Sequence, residues 1–494
     1  MHFLILLCLS PCDLTRLTRN SPHTPSIHIL DDDSLINIFY LYRLAILPAN
    51  EDEDNDIRIY DGMGWDRERW WYKLAHVSQG WRSLILGSAS YLDLCLVCTY
   101  GTPVADMLAH SPHFPLVIDY VDPNQDITAE EEGIILALEQ RDRVRRVRLE
   151  MPLPNLQKLI MAIDEEYPLL EYLIMSFPIE DKSTVVMLPE TLQAPHLRRL
   201  MLEGFALPRE SRLLTTATGL IALALSVGHP TAYFQPNILL HWLSFMPQLE
   251  MLAIAFYFPV PNRDMEGQLV QTTQVTLPNL RWLDFRGVSA YMEAFVRQIT
   301  TPRLKRLSIK FFTQLTFFVP HLQHFMNTTE NLRLDSAKFT FSRDGVYVRV
   351  YPRGDEMYTL RINVHCLHLD WQVSSMAQIF NPLTQIFSTV EHLTLQHKVQ
   401  SLSSEVHNEV DRIEWRKLLR SFSNVNSLHV DNGLVKELSR GLRLEDGEHP
   451  LELLPELQEL TYSGSGDTGG AFKSFIDARQ NAAHPVTLTR RRRR

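Results

Sequence analysis

A chain of 494 residues with 45% hydrophobic content is too long for one compact core, so several domains or an elongated repeat array are expected. Its formal net charge of -10 argues against a nucleic-acid binder, because phosphate recognition wants a basic face. Five cysteines, at 8, 12, 95, 98 and 366, show no disulfide-framework spacing and are expected to stay reduced, as in the cytoplasm or nucleus.

The chain opens on a short apolar run, FLILLCL at 3–9. The run lacks the positive flank and small-residue cleavage site of a secretory signal and is far too short to span a membrane. Residues 1–28 therefore read as a flexible tail, with a secretory signal as the competing reading. Leu35, Ile38, Phe39 and Tyr42 then follow helical spacing behind Asp31, Asp32 and Asp33, which predicts a helix whose free N–H groups an Asp caps. An acidic insertion follows at 44–64, with EDEDND at 51–56. Like charges repel, so it reads as an exposed flexible loop, and it lacks the ligand spacing and turn glycine of a Ca²⁺ site. In RERWWYKLAHVSQGWRSLIL, residues 67–86, the apolar positions Trp70, Leu74, Val77, Trp81 and Leu84 again predict one helix face. Gly80 interrupts the pattern. Either two short helices meet near it, or packing overrides its cost of about 1 kcal/mol; both readings bury Trp81.

Leu30, Leu35, Ile38, Phe39, Leu74, Val77, Trp81 and Leu84 stand where an F-box carries its Leu, Ile-Phe and Leu-Val-Trp-Leu positions. Residues 29–97 therefore resemble an F-box, with Asp31 in place of the usual Pro, Ser78 in place of the optional Cys, and Gln79-Gly80 in place of the basic pair. The resemblance implies a small helical domain that binds the adaptor subunit of a cullin-based ubiquitin ligase through those eight residues. An ordinary helical hairpin is the competing reading.

Cys95 and Cys98 lie in an apolar run with no second pair or nearby His, so they read as buried thiols rather than as a zinc or redox site. Residues 98–139 read as a connecting segment. From 140 to 484 an apolar-x-x-apolar-x-apolar phrase recurs, at Val144/Val147/Leu149, Leu170/Leu173/Met175, Leu197/Leu200/Leu202, Leu220/Leu223/Leu225, Leu249/Leu252/Ile254, Leu280/Leu283/Phe285 and Leu304/Leu307/Ile309. It returns at Val364/Leu367/Leu369, Val390/Leu393/Leu395, Val425/Leu428/Val430 and Leu457/Leu460/Tyr462. Steps of 23 to 31 residues separate the first seven, close to the leucine-rich-repeat period of about 20–29. The last two apolar residues of each phrase alternate as on a short strand, and one unit cannot bury that face alone, so stacked units are expected. The segment resembles the degenerate leucine-rich repeats found behind an F-box in a class of fungal proteins. That implies an α/β fold: a curved solenoid with a parallel sheet, behind the small helical domain. The Asn that usually follows each phrase is replaced by Pro178, Phe205, Gly228, Tyr257, Val288 or Phe312, and another irregular α/β stack is the competing reading.

Between 338 and 364 the pattern alternates around Asp344-Gly345, which predicts an antiparallel meander inserted into the array; Arg353-Gly354-Asp355 reads as a turn. Gly464, Gly466 and Gly469 match a dinucleotide-binding pattern, but too little chain follows for the rest of that fold. His321 and His324 lack the spacing and Glu of a zinc-protease helix. Residues 485–494 read as a last strand and a solvated Arg tail. No catalytic constellation is apparent, and neither a cofactor nor a metal, a nucleic acid or a membrane partner is expected. The resemblance implies a substrate-recruiting subunit of a cullin-based ligase, with the repeat array binding an unknown target protein. The alternatives are a protein-binding scaffold without ligase docking and an enzyme built on the glycine-rich turn. Strand alternation assigns Arg199, Trp282, Asp284, Arg306 and His368 to the target-binding face.

Overall fold

The computed structural model describes residues 30–46, 68–121, 130–177, 185–258, 274–314, 316–329, 331–332, 334–355, 357–398, 412–444, 448–463 and 469–491. The expected tail at 1–28, the acidic insertion beyond Ile46, the glycine-rich turn at 464–468 and the last three arginines lie outside the described residues. Contacts divide the chain into two units, Met1–Ile163 and Asp164–Arg494.

The first unit runs α1 (Asp32–Ile46), α2 (Trp70–Ala75), α3 (Gln79–Gly87), α4 (Ala89–Leu92), β1 (Leu96–Cys98), α5 (Val104–His110), β2 (Leu116–Val121), α6 (Glu131–Leu138), β3 (Val144–Glu150) and α7 (Leu153–Ile160). Asp31 opens α1, its Oδ1 accepting from the backbone N–H of Ser34 at 2.7 Å, which satisfies one donor of the first turn. The periodic stretch at 67–86 is two helices, not one. Ser78 starts the second, its Oγ accepting from the N–H of Trp81 at 3.1 Å, and Gly80 falls in that first turn. Phe39 meets Trp81 edge to face at 4.9 Å, above buried Leu35, Leu74, Ile85 and Leu92.

These helices are tied to the strands that follow. Trp71 Nε1 donates to the carbonyl of Cys95 at 3.1 Å, and Arg69 donates to the carbonyl of Val97 and to Thr102 Oγ1, both at 3.2 Å. Asp93 accepts from Arg43 of α1 at 2.6 Å and from Arg145 of β3 at 2.5 Å, and buried Glu68 pairs with Arg146. β1, β2 and β3 form a parallel ladder beginning Leu96↔Leu116 and Leu116↔Val144. Parallel neighbours need a crossover, and here α5 and α6 provide one after each strand. Residues 98–139, expected as a connection, thus carry a sheet strand and two helices.

The second unit begins with β4 (Tyr172–Ser176), β5 (Val186–Met187), β6 (Arg199–Glu203), β7 (Phe205–Ala206), α8 (Arg212–Thr216), β8 (Ala222–Val227), α9 (Pro236–Leu243), β9 (Met251–Phe256), β10 (Val275–Thr276), β11 (Trp282–Gly287), α10 (Ser289–Val296), β12 (Ile299–Thr300), β13 (Arg306–Phe311) and α11 (Pro320–Asn327). It continues with β14 (Ser336–Ser342), β15 (Gly345–Tyr351), β16 (Leu360–His365), α12 (Leu369–Phe380), α13 (Thr384–Phe387), β17 (His392–Lys398), α14 (Arg412–Arg420), β18 (Ser427–Val430), α15 (Asn432–Leu442), β19 (Glu459–Ser463), α16 (Lys473–Asn481) and β20 (Thr487–Arg491). Its main sheet has the order β4-β6-β8-β9-β11-β13-β16-β15-β14-β17-β18-β19-β20, parallel except where β15 meets its two neighbours. β5 pairs with β7 and β10 with β12 in separate short parallel ladders. The protein is a mixed α/β molecule with a large, mostly parallel sheet.

Ten of the eleven sequence phrases end in a strand, and register explains the pattern. Leu173, Leu200, Leu223, Leu252, Leu283, Leu307 and Leu360 are paired in sequence across seven strands, all buried. Met175, Leu202, Leu225, Ile254, Phe285, Ile309 and Ile362 make a second buried column two residues on. The first apolar residue of a phrase sits in a turn: the N–H groups of Leu197, Leu220, Leu249 and Leu304 each donate to the carbonyl three residues back, at 3.1 to 3.2 Å. At the positions after each phrase where a regular repeat has its Asn, Phe205 and Val288 are buried instead, and Tyr257 and Phe312 flank Arg286.

The exception is Val364/Leu367/Leu369. The strand there is β16, with Leu360, Ile362 and Val364 buried, whereas Leu367 is 70% exposed and Leu369 begins α12. Pairing fixes this register, because Leu307 and Ile309 must meet Leu360 and Ile362 to continue the columns. The meander, β14 to β16, is part of the main sheet rather than an appendage, with β16 parallel to β13 and β14 parallel to β17. Its turn is Arg343-Asp344, one residue earlier than Asp-Gly spacing suggests. Gly345 is already in β15, where a Cβ would stand 2.3 Å from the Val364 carbonyl oxygen.

Candidate interaction surfaces

The eight residues expected to bind an adaptor divide between core and surface. Leu35, Phe39, Leu74 and Trp81 are buried and hold the helices together. Leu30, Ile38 and Leu84 are half-buried, and Val77, in the break between α2 and α3, is 60% exposed. The set is therefore not one contact surface: its aromatic pair faces inward because the two rings pack on each other. A different apolar surface is available on α1, where Leu41 and Leu44 are each 48% exposed. Asn37 and Tyr40 share that helix face, and Tyr91, 54% exposed, packs its ring 5.4 Å from Tyr40 and places its hydroxyl 3.3 Å from Asn37 Oδ1.

In the second unit, strand alternation sends the residues between the buried columns to the opposite, open face. One row there reads Tyr172, Arg199, Ala222, Met251, Trp282, Arg306. Three expected target-binding residues, Arg199, Trp282 and Arg306, therefore share a single row, and Trp282 stands directly beside Arg306. Asp284 lies in the next row on the same face, beside Ala253 and Ser308. His368 does not join them. It immediately precedes α12, with its ring 5.7 Å from that of Trp371, because the strand it was assigned to ends at His365.

The same face carries cations that phrase spacing did not single out. Arg286 pairs in register with Lys310, Arg361 with Arg349, and Arg349 with Lys338. Arg286 lies over the Tyr257 ring at 4.2 Å and over Phe312 at 5.9 Å. Burial first, then the positive charges of Arg286 and Arg361, hold the Lys310 ammonium below its usual pKa. Burial pushes the Tyr257 phenol up. Ala224, Ala253, Ala255, Ser226 and Ser308 make a floor of small side chains beside this cluster. Extending strand alternation one residue past each phrase would have found Arg286 and Lys310; Arg361, Arg349 and Lys338 become neighbours only through the meander.

Cys95 and Cys98 are buried free thiols, and burial raises their pKa values to about 11 and about 12, so both are thiols at neutral pH. His321 lies in the first turn of α11, whose N–H groups at His321 and Leu322 donate to Glu293 at 2.7 and 2.9 Å. Among the described residues no group of three His, Cys, Asp or Glu side chains is placed to hold a metal ion, and no helix is long and apolar enough to cross a membrane. Comparison with models of known protein families and with curated proteins finds no match to this chain.

Proposed function

We propose that this chain is a non-catalytic recruiting subunit: its N-terminal helices bind the adaptor of a cullin-based ubiquitin ligase, and the open face of the second unit's sheet binds a target protein, on a repeat array of the leucine-rich kind. The observation that carries this reading is the sheet itself. Seven successive strands of the thirteen-stranded ladder bury two continuous apolar columns, and Arg199, Trp282 and Arg306 stand between those columns on the opposite face. A few Trp and Arg residues commonly dominate the energy of such an interface. The adaptor part rests on the F-box-like residues, and in this reading the contacts come from Ile38, Val77 and the exposed α1 face of Leu41 and Leu44. A scaffold without ligase docking is the second reading, favoured by the burial of four of the eight F-box-like positions.

The test is affinity purification of the full chain under a ligase inhibitor, with both adaptor and trapped targets identified. Wild type is expected to retain the adaptor, Val77→Asp with Leu41→Asp to lose it, and Trp282→Ala with Arg306→Ala to keep it while losing targets. A folded wild-type chain that retains no adaptor would leave the scaffold reading in its place.

A further inference from the structure

The cations on the sheet's open face are arranged against the stability of the fold. Across three adjacent strands Arg361, Arg349 and Lys338 stand directly opposite one another, and one row away Arg286 stands opposite Lys310. Like charges directly opposite on neighbouring strands destabilise a sheet. Yet five cations gather here on five consecutive strands of a chain whose net charge is -10, and the two rows that hold them carry one carboxylate over those strands, Asp284. Burial and the neighbouring guanidinium groups already disfavour the charged form of Lys310. A bound anion would relieve that repulsion.

We propose that this patch binds an acidic segment, rich in Asp and Glu, of a partner protein. The inference rests on reading the open sheet face as the target surface. Its extent argues for a short peptide. Five strands cover about 19 Å, the length of roughly six extended residues. On one side the rows run into Ala253, Ala224 and Ala255; on the other they run into Thr394, Gln396 and Thr340. A nucleic acid would seek phosphate contacts along a longer basic surface, and here the run of directly opposed cations gives way to alanine on one side and to threonine and glutamine on the other. One phosphate group would reach only part of a cluster this wide. Carboxylates spaced along an extended segment match cations spaced from strand to strand, and Tyr257 and Phe312 already hold Arg286 in place for such a contact.

The experiment uses the purified full chain and a fluorescein-labelled octapeptide of alternating Glu and Asp, with fluorescence anisotropy as the readout. Three comparison probes are its Gln/Asn counterpart, that neutral peptide carrying one phosphoserine, and a single-stranded DNA octamer. The acidic peptide is expected to bind tightest, with affinity falling as salt rises. Lys338→Gln with Arg349→Gln should weaken it at least tenfold without lowering the melting temperature, since the substitutions remove like-charge pairs. Lys473→Gln, which removes a cation from α16, should leave it unchanged. Absence of binding by cooperatively melting wild-type protein, equal binding by the double variant, or tighter binding of either the phosphopeptide or the DNA would overturn the proposal. Adaptor retention is scored separately. A chain that binds the peptide but no adaptor loses the ligase reading alone, and one that captures targets and adaptor but not the peptide loses this inference alone.

Discussion

Gly80 and Gly345 look alike in the sequence, each a glycine interrupting a regular pattern, yet the structure gives them opposite roles. A Cβ at Gly80 would meet only Ser78 Oγ, at 3.9 Å, in the first turn of α3. Gly80→Ala is therefore expected to stabilise the protein by about 0.4–1 kcal/mol, chiefly by restricting the unfolded chain, as urea melts would show. Gly345 has φ +156°, and its absent Cβ leaves room for the Val364 carbonyl of the neighbouring strand. Since that carbonyl is backbone within a paired strand, Gly345→Ala should destabilise by more than about 1 kcal/mol. Histidines provide a second test at this scale. Burial is the first cause that lowers the pKa of His365 and of His429; Lys310 and Arg286 add to it at His365, and Arg491 at His429. A folded-state value below the unfolded one means that the unfolded chain binds more protons as pH falls below about 6.5, so stability should fall in that direction. Melting temperatures from pH 7.5 to 5.5 should decline, and His429→Gln should flatten part of the slope.

At the scale of elements, local pattern and tertiary partner divide what the sequence reveals. The helix at α1 was legible because its cap, Asp31, and its apolar spacing lie within one stretch of chain. The start of α11 was not: it opens on Pro320, preceded by Val319, and its N–H groups are satisfied by Glu293, 28 residues before His321. Burial raises the Glu293 pKa despite those two bonds. Glu293→Ala should cost about 1–2 kcal/mol through the lost cap, with the benefit of removing a buried charge setting the lower end. Glu293→Gln, which keeps an acceptor, should cost less, and hydrogen exchange should place the change at the first turn of α11. β1 and β2 escaped notice for another reason. Their residues are buried on both faces for most of their length, so LVC and LVIDY show no alternation to separate strand from any other apolar run. Val364/Leu367/Leu369 failed conversely: the spacing is present, but it spans the end of one strand and the start of a helix.

Across the second unit, what the sequence disclosed was the buried side of the sheet, because leucines recurring every 23 to 31 residues are the columns themselves. The open side was legible only in part. Trp282 and Arg306 follow from alternation alone, whereas the like-charge line of Arg361, Arg349 and Lys338 depends on two antiparallel pairings within the meander. The columns also carry a mechanical expectation. Leu252 and Leu283 are fully buried neighbours near the middle of the parallel run, so Leu252→Ala should cost about 2–5 kcal/mol by leaving a cavity. If each strand and its return segment form a unit stabilised mainly by its nearest neighbours, that loss should decay with distance along the sheet. Hydrogen exchange in Leu252→Ala should then accelerate at β8, β9 and β11, which adjoin the substitution, and remain near wild type at β18, β19 and β20. Equal acceleration at every strand would mean that the sheet unfolds as one cooperative body, and the repeat-array reading of the second unit would have to be given up.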